Sequence, residues 1–138
     1  MLTGLLHAHS GLRYLVLLAG AIALAYAIFG WATGRRYDRG MRISASAFAG
    51  LLHLQVVLGF FILVSGRLAG GIGGALIGHL FLMLFAAVLA QIPLSVMRRR
   101  PPENRSYAPH AVFTVVAFIF IWAGVASIGR GLFEAAVF

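Results

Sequence analysis

Uncharged and strongly apolar runs divide the chain into four parts. No Asp, Glu, Lys or Arg occurs in residues 14–34, 43–66, 68–97 or 106–129. The shortest of these runs has 21 residues, and a helix that crosses the hydrocarbon layer needs roughly 20 apolar residues. The pattern therefore predicts four transmembrane helices, and these lie at about residues 12–34, 43–65, 72–97 and 107–129 of a single integral membrane domain, residues 1–138.

The connections between the four runs are short, and short connections join helices that lie side by side in opposite directions. The predicted fold class is an all-α membrane protein built as an up-down-up-down bundle of four transmembrane helices. In such a bundle helices one and three face each other diagonally, as do helices two and four. Residues on a diagonal pair can thus approach the bundle axis from opposite sides.

Composition and charge narrow the class of protein. The chain carries 11 basic and 3 acidic residues for a net charge of +8, yet 62% of it is hydrophobic and its mean hydropathy is +0.98. A pI near 11.6 is typical of nucleic-acid binders, but too few residues are polar to cover a water-soluble domain. Nucleic-acid binding is therefore excluded. The lack of cysteine excludes disulfides, zinc–thiolate sites and iron–sulfur clusters.

The arginines are unevenly placed and predict an orientation. Eight of them lie in the first and third connections, residues 35–42 and 98–105, whereas Arg13, Arg67 and Arg130 lie on the opposite side of the predicted bundle. Because positive loops stay in the cytoplasm, we expect both termini outside, in the periplasm, and the chain in a bacterial cytoplasmic membrane. Attraction to anionic lipid headgroups is a secondary consequence of the same charge.

Aromatic residues with a polar atom lie mostly near the predicted helix ends. Among them are Tyr14, Trp31, Tyr107 and Trp122. Such positions are typical of the aromatic belt at the membrane interface, so the sequence assigns these residues no chemical role.

Five histidines lie within or beside the four runs, and Gln55 and Gln91 are further strongly polar side chains there. The five are His7, His9, His53, His79 and His110. For one histidine in one membrane helix, an interhelical hydrogen bond or an interfacial position is the commoner explanation. Four helices that each supply a histidine favour a shared ligand role instead, because neutral imidazole binds transition metals. No carboxylate lies within a run, so magnesium and calcium are not expected.

The depths of the histidines predict two pairs rather than one cluster. Counted along the helices, they spread over about 30 Å, which is too far apart for one metal ion. His53 and His110 lie on one diagonal pair of helices, toward the arginine-rich side. His79 lies on the other diagonal, with His9 or His7 as its partner. Each pair is staggered by about 9 Å, which helix tilt would have to absorb.

A b-type haem suits such a pair, because its iron takes two axial imidazoles from opposite sides. The candidate iron ligands are His9, His53, His79 and His110, with His7 as the alternative to His9. One or two haems fit this set. Haem propionates need cations, and Arg13 and Arg67 border the half of the bundle that holds His79.

Four short motifs carry a resemblance to a known family. They are HAHSGLRY at residues 7–14, HLQVVLG at 53–59, GHLFLM at 78–83 and PHA at 109–111. This set resembles small four-helix bacterial membrane proteins labelled cytochrome b-like, over nearly the whole chain. The resemblance implies haem binding and electron transfer. Such relatives often carry a further histidine near the end of helix three, where this chain has Gln91.

The leading functional hypothesis is a membrane cytochrome b that passes electrons, in a larger redox assembly or a homo-oligomer within the lipid bilayer. The sequence leaves open whether the protein is an enzyme in its own right, and whether a quinone or quinol binds near Gln55 or His110. The alternative is a non-redox accessory subunit whose histidines make interhelical bonds. A metal or proton transporter is less favoured, because such paths normally need intramembrane carboxylates.

Overall fold

The computed structural model describes residues 1–67 and 70–134, and it is built from four long helices. They are α1 (Leu2–Ala32), α2 (Arg39–Ile62), α3 (Gly74–Arg99) and α4 (Ala108–Ser127). A π-helical turn, Leu63–Arg67, continues α2, and a short 3-10 helix, Pro102–Asn104, precedes α4. All four helices are long and apolar enough to cross a membrane, as the uncharged runs predict.

The largest departure from the predicted bounds is at the start of α1. This helix begins at Leu2, whereas the uncharged run placed its start near residue 12. The reason is that Arg13 does not end the helix: it lies within α1, and its guanidinium donates a hydrogen bond to the carbonyl oxygen of Glu134 near the end of the described chain. His7 and His9 therefore belong to a helix rather than to a leading segment.

Each helix packs against its neighbour in the chain, and α1 also packs against α4, which closes the bundle. The helices alternate in direction, because the start of α1 meets the end of α2 and the start of α3 meets the end of α4. One end of the bundle holds the start of α1 and the end of α4 and is called the terminal end. The other end holds the two arginine-rich connections and is called the loop end.

The inside and outside of the bundle differ in residue size rather than in polarity. Many of the most buried residues are small, and they include Ala23, Ala27, Ala86, Ala90 and Ala117. Large apolar side chains such as Leu18, Phe60, Phe81 and Trp122 are more than half exposed. Small residues at contacts let helix backbones approach closely, and an apolar exterior suits lipid. These features fit a multi-pass membrane protein.

A cluster of three tyrosines, Tyr26, Tyr37 and Tyr107, holds the helices together at the loop end. One of its contacts is with Asp38, the N-cap residue of α2. Asp38 caps this helix by accepting a hydrogen bond from the Met41 backbone N–H at 3.0 Å, and it accepts another from the Tyr26 hydroxyl at 2.6 Å. The bond from Tyr26 is the main reason why the pKa of the Asp38 carboxyl is lowered. Arg35 adds an ion pair with the same carboxylate at 3.5 Å.

Tyr107 lies inside this cluster, and not in the interfacial belt that the sequence predicted. Its side chain is only 3% exposed, and its hydroxyl donates a hydrogen bond to the carbonyl oxygen of Arg36 at 2.9 Å. The ring lies against Gly30 of α1, where a side chain would collide with it. Tyr107 thus joins the start of α4 to the end of α1 and to the first connection.

Candidate functional site

A cavity of about 510 Å³ opens between the helices at the terminal end. Most of its lining is apolar, and its polar lining comes from His9, Ser10, Arg13, Gln55, His79 and Arg130. The volume falls in the usual range for small-molecule and cofactor sites, roughly 300–1,000 Å³, and an apolar wall with few polar groups is typical of them. We call this space the terminal cavity. Two of the predicted ligand histidines, His9 and His79, line this cavity.

His79 lies near the start of α3 and is oriented by α4. Its Nδ1 is 2.7 Å from the carbonyl oxygen of Gly124. A carbonyl oxygen can only accept, so Nδ1 carries the proton and Nε2 keeps its lone pair. A backbone carbonyl that holds one imidazole nitrogen in this way is the usual partner of a histidine that binds a metal through the other nitrogen. His79 is therefore arranged as a ligand would be.

His9 lines the same cavity from α1, on the opposite side of the bundle from α3. Its ring lies against Gly59 of α2, where a Cβ atom would be 3.0 Å from His9 Cε1. Gln55, one turn earlier on α2, donates a hydrogen bond from Nε2 to the His9 carbonyl oxygen at 2.8 Å. The glycine makes room for the imidazole, and the glutamine ties this turn of α1 to α2.

Buried polar atoms without a partner concentrate in this cavity. Among the described residues four buried side-chain nitrogen or oxygen atoms have no hydrogen-bond partner. Three of them, His9 Nδ1, Arg13 Nε and Gln55 Oε1, belong to residues that line the terminal cavity. Leaving a buried polar group unpaired costs about 1–3 kcal/mol, and native proteins accept this mainly where a ligand or a water completes the set. The lining is therefore suited to a ligand that is itself partly polar.

Cations border the cavity. Arg13 and Arg130 both line it, and either guanidinium can pair with a carboxylate. Arg67, which the sequence also proposed for this role, follows Gly66 in the π-helical turn, and its side chain lies outside the described residues. The cavity is thus lined by one predicted cation, Arg13, and by Arg130, to which the sequence gave no binding role.

The other three candidate histidines do not reach the terminal cavity. His7 lies on the exposed side of α1, so of the two alternatives on this helix it is His9 that approaches His79. His53 is exposed on α2, and its Nδ1 donates to the Ala49 carbonyl oxygen at 2.6 Å. It lines a groove between α2 and α3 whose lining does not include His110.

His110 is almost completely buried at the loop end, with 1% of its surface exposed. Its Nε2 is 2.8 Å from the Tyr37 hydroxyl, and the two rings stack with centroids 5.6 Å apart. Burial raises the pKa of the Tyr37 phenol to about 12, so the hydroxyl keeps its proton at neutral pH. The predicted pairing of His53 with His110 across the bundle is thus replaced by contacts that each residue makes with a nearer neighbour.

No group of three or more His, Cys, Asp or Glu side chains that could hold a metal ion is found within residues 1–67 and 70–134. This finding argues against a zinc-type site there, since such a site needs at least three protein ligands. A haem iron needs only two axial ligands from the protein, so a haem site would not form such a group.

Sequence reasoning assigned no binding or structural role to Arg130 and Tyr37, and it named Gln55 only as a position near which a quinone or quinol could bind. Gln55 carries a detectable signal, because it is a strongly polar side chain inside an uncharged run and it precedes Gly59 by one helical turn. Tyr37 carries no such signal, because nothing in the sequence shows that the first connection folds back onto α4.

Comparison with protein-family models, with curated proteins and with solved structures finds no match to this chain.

Proposed function

We propose that this protein is a membrane electron carrier that holds one b-type haem in the terminal cavity, with His79 and His9 as the axial ligands. The observation that carries the proposal is the hydrogen bond from His79 Nδ1 to the Gly124 carbonyl oxygen. It fixes Nε2 as the free lone pair of an imidazole in an apolar cavity, opposite a second histidine. The cavity volume and the unpaired polar atoms of its wall support the same assignment.

The residues divide the work of holding the group. His79 and His9 would hold it from α3 and α1, and Arg13 and Arg130 would pair with its propionates. Gln55 keeps the turn of α1 that carries His9 in place. The apolar wall, which includes Val16, Leu52 and Ile121, excludes water. A bound haem would supply reversible one-electron transfer at its iron.

The sequence allowed one or two haems, and the geometry favours one. His53 is engaged with Ala49 on the exposed side of α2, and His110 is engaged with Tyr37 in the buried interior of the loop end. The protein is therefore proposed to transfer electrons at the terminal end alone, within a larger redox complex or a homo-oligomer that supplies the rest of the path.

Visible spectroscopy tests the proposal. The protein is purified in detergent from haem-replete cells, and reduced-minus-oxidised spectra and a pyridine haemochrome assay give the haem content per chain. We expect about one haem per chain in the wild type, and a loss of at least tenfold in His79→Ala and in His9→Ala. The matched controls are His53→Ala and His110→Ala, which are expected to retain the haem. A colourless wild type, or equal loss in all four variants, would refute it.

A non-redox accessory subunit is the second candidate, and one observation favours it. His53 and His110 already have structural hydrogen bonds within the chain, as expected for histidines that only stabilise a bundle. On this hypothesis His79 would be a third case, and its bond to Gly124 would serve helix packing alone. The wild type would then be colourless, and His79→Ala would lower the stability of the bundle without any change in absorbance.

The orientation is part of the same proposal. We infer that the loop end faces the cytoplasm of a bacterium and that the terminal cavity opens toward the periplasm, because eight arginines lie at the loop end. The chain has no cysteine, so single cysteines can be introduced without background. A membrane-impermeant maleimide added to spheroplasts should label Thr3→Cys and spare Glu103→Cys. The reverse pattern would overturn the orientation.

A further inference from the structure

A second open space lies on the side of the bundle, between α2 and α3 near the loop end. It has a volume of about 720 Å³ and is lined by Arg39, Arg42 and Arg98 together with Ser46, Ser95, Gln91 and other residues of these two helices. The lining side chains at Arg42, Ser46 and Gln91 are exposed, so the space is a groove that opens sideways rather than toward the bundle axis. We call it the lateral groove.

Positive charge collects at one end of this groove without compensation. Arg39 and Arg42 come from the first two turns of α2, and Arg98 comes from the last turn of α3. No Asp or Glu is among the lining residues, and the one ion pair found among the described residues uses Arg35 instead. Three arginines from two helices thus line the same end of the lateral groove, and no carboxylate lines it with them.

Hydrogen-bond donors lie one helical turn farther along the groove. Ser46 follows Arg42 by four residues and Ser95 precedes Arg98 by three, which puts both about 5–6 Å deeper along the helix axes. Gln91 Nε2 donates to Ser95 Oγ over a long 3.4 Å, so the Ser95 hydroxyl proton remains available for an acceptor in the groove. Beyond them the floor is open at Gly50, where a side chain would meet nothing within 4 Å.

This order of groups matches one class of ligand. In a phospholipid the phosphate is followed by the ester oxygens of the glycerol and then by the acyl chains. The groove offers guanidinium groups and then the hydroxyls of Ser46 and Ser95. The open space at Gly50 follows about one turn farther on, and the rest of the lining there comes from Leu94, Gln91 and His53. Basic pockets between transmembrane helices are known to bind anionic headgroups. A zwitterionic headgroup fits less well, because its own cation would lie among three arginines.

We propose that the lateral groove is a binding site for one anionic phospholipid, whose phosphodiester is held by Arg39, Arg42 and Arg98. Ser46 and Ser95 donate hydrogen bonds to its ester oxygens, and one acyl chain lies along the groove between α2 and α3. The proposal does not rest on haem binding, because the groove and the terminal cavity lie toward opposite ends of the bundle and their linings share no residue.

Native mass spectrometry of the purified protein in neutral detergent tests this site. Phosphatidylglycerol is titrated in one series and phosphatidylcholine in another, and the fraction of chains that retain one lipid gives the affinity. We expect the wild type to hold one phosphatidylglycerol at least about tenfold more tightly than phosphatidylcholine. The double variant Arg42→Gln/Arg98→Gln is expected to lose at least about tenfold of that affinity, since each arginine near an anionic headgroup contributes roughly fivefold.

The matched control removes the same charge from outside the groove. Arg36→Gln/Arg100→Gln changes two arginines of the same connections that do not line the groove, and it should bind phosphatidylglycerol as the wild type does. Equal losses in the two double variants would mean attraction to net charge only and would overturn the proposal. Circular dichroism and gel filtration confirm that both variants remain folded, so a loss can be attributed to binding.

A soluble phosphate is the other source of the same anionic chemistry, and competition separates the two. Inorganic phosphate or glycerol 3-phosphate at millimolar concentration should fail to displace phosphatidylglycerol, because neither offers an acyl chain to the groove. Displacement by either, or retention of inorganic phosphate alone, would assign the arginines to a soluble anion and overturn the lipid assignment.

Discussion

At the loop end of the bundle the polar groups are matched to one another, whereas at the terminal end they surround a cavity and are left partly unpaired. The hydroxyls of Tyr26, Tyr37 and Tyr107 each have a partner. At the terminal end His9, Arg13 and Gln55 each keep a buried atom without one. One unpaired atom, His110 Nδ1, also lies at the loop end, but no comparable set surrounds it.

The difference separates two tasks that one small bundle must perform. Matched hydrogen bonds and stacked rings fix the relative positions of helices, and their loss is expected to cost stability. Unpaired polar atoms around a cavity do not stabilise the protein alone, and their loss is expected to cost binding. Substitutions at the two ends should therefore affect different measurements.

The largest expected effect on stability comes from Gly30→Ala at the loop end. The new Cβ atom would lie 2.6–2.7 Å from atoms of the Tyr107 ring, and the ring cannot retreat without losing its bond to the Arg36 carbonyl. Overpacking of this kind costs up to about 3 kcal/mol. Unfolding by SDS in mixed micelles measures the loss.

Gly11→Ala is the matched control for Gly30→Ala on the same helix, because nothing lies within 4 Å of its added Cβ. Its stability should be unchanged or slightly raised, as is usual when glycine is replaced in a helix. If Gly11→Ala destabilised the protein as much as Gly30→Ala, the loop end would not be the better packed of the two.

Gly59→Ala addresses the terminal end, and its effect is expected in binding. The added Cβ would lie 3.0 Å from His9 Cε1, so the imidazole must shift within the cavity. We expect a loss of haem affinity of about tenfold, equivalent to ~1.4 kcal/mol, with little change in unfolding. Haem titration into the haem-depleted protein measures it. Gly50→Ala, on the same helix with an open Cβ position, should bind haem as the wild type does; a shared loss would contradict the proposed position of His9.

Tyr37→Phe is expected to lower stability and to leave haem binding unchanged, which is the opposite of the effect expected of Gly59→Ala. It removes the hydroxyl that meets His110 Nε2 at 2.8 Å and keeps the ring that stacks on the imidazole. One hydrogen bond contributes about 1 kcal/mol, so the unfolding free energy should fall by this amount while the haem content stays the same. Loss of haem in Tyr37→Phe would show that the two ends are coupled, and it would refute the division of tasks.

The smallest expected effect is the dependence of stability on pH at Asp38. Its pKa is lowered from 3.8 in the folded chain, chiefly by the hydrogen bond from Tyr26. The ionised carboxylate therefore stabilises the fold above about pH 4, and this contribution is lost as the pH falls through the lowered value. Asp38→Asn should show a smaller drop in Tm between pH 6 and pH 3 than the wild type. Identical drops in Tm would show that the Asp38 carboxylate does not contribute to the pH dependence of stability.

The number of helices follows from the sequence, because the hydrocarbon layer sets a minimum length that only four uncharged runs meet. The start of α1 does not follow. A charged residue such as Arg13 looks like a boundary when charges are counted, although its long side chain can reach the interface or a carbonyl from inside a helix. That error placed His9 outside the first helix, and the structure places it within α1.

From the sequence, the candidate site could be predicted only as pairs of histidines on diagonally opposite helices. Depth along a helix follows from residue number, so the sequence could assign His79, with His9 or His7, to one half of the bundle. By the same reasoning it assigned His53 and His110 to the other half. The rotation of each helix about its own axis does not follow from residue number when both faces are apolar. For this reason the sequence could not show that His53 faces outward or that His110 meets Tyr37.

The acceptor that orients His79 is a main-chain oxygen of Gly124, and this has an evolutionary consequence. Every amino acid supplies the same oxygen, so no single substitution can delete the acceptor, and drift at position 124 is limited by volume instead. Met83 and Leu82 lie where a side chain would have to go. Any change that can be accommodated there keeps the tautomer of His79, and only a rotation of the whole of α4 would alter it. The orientation of the imidazole is thus inherited with the fold rather than with the local sequence.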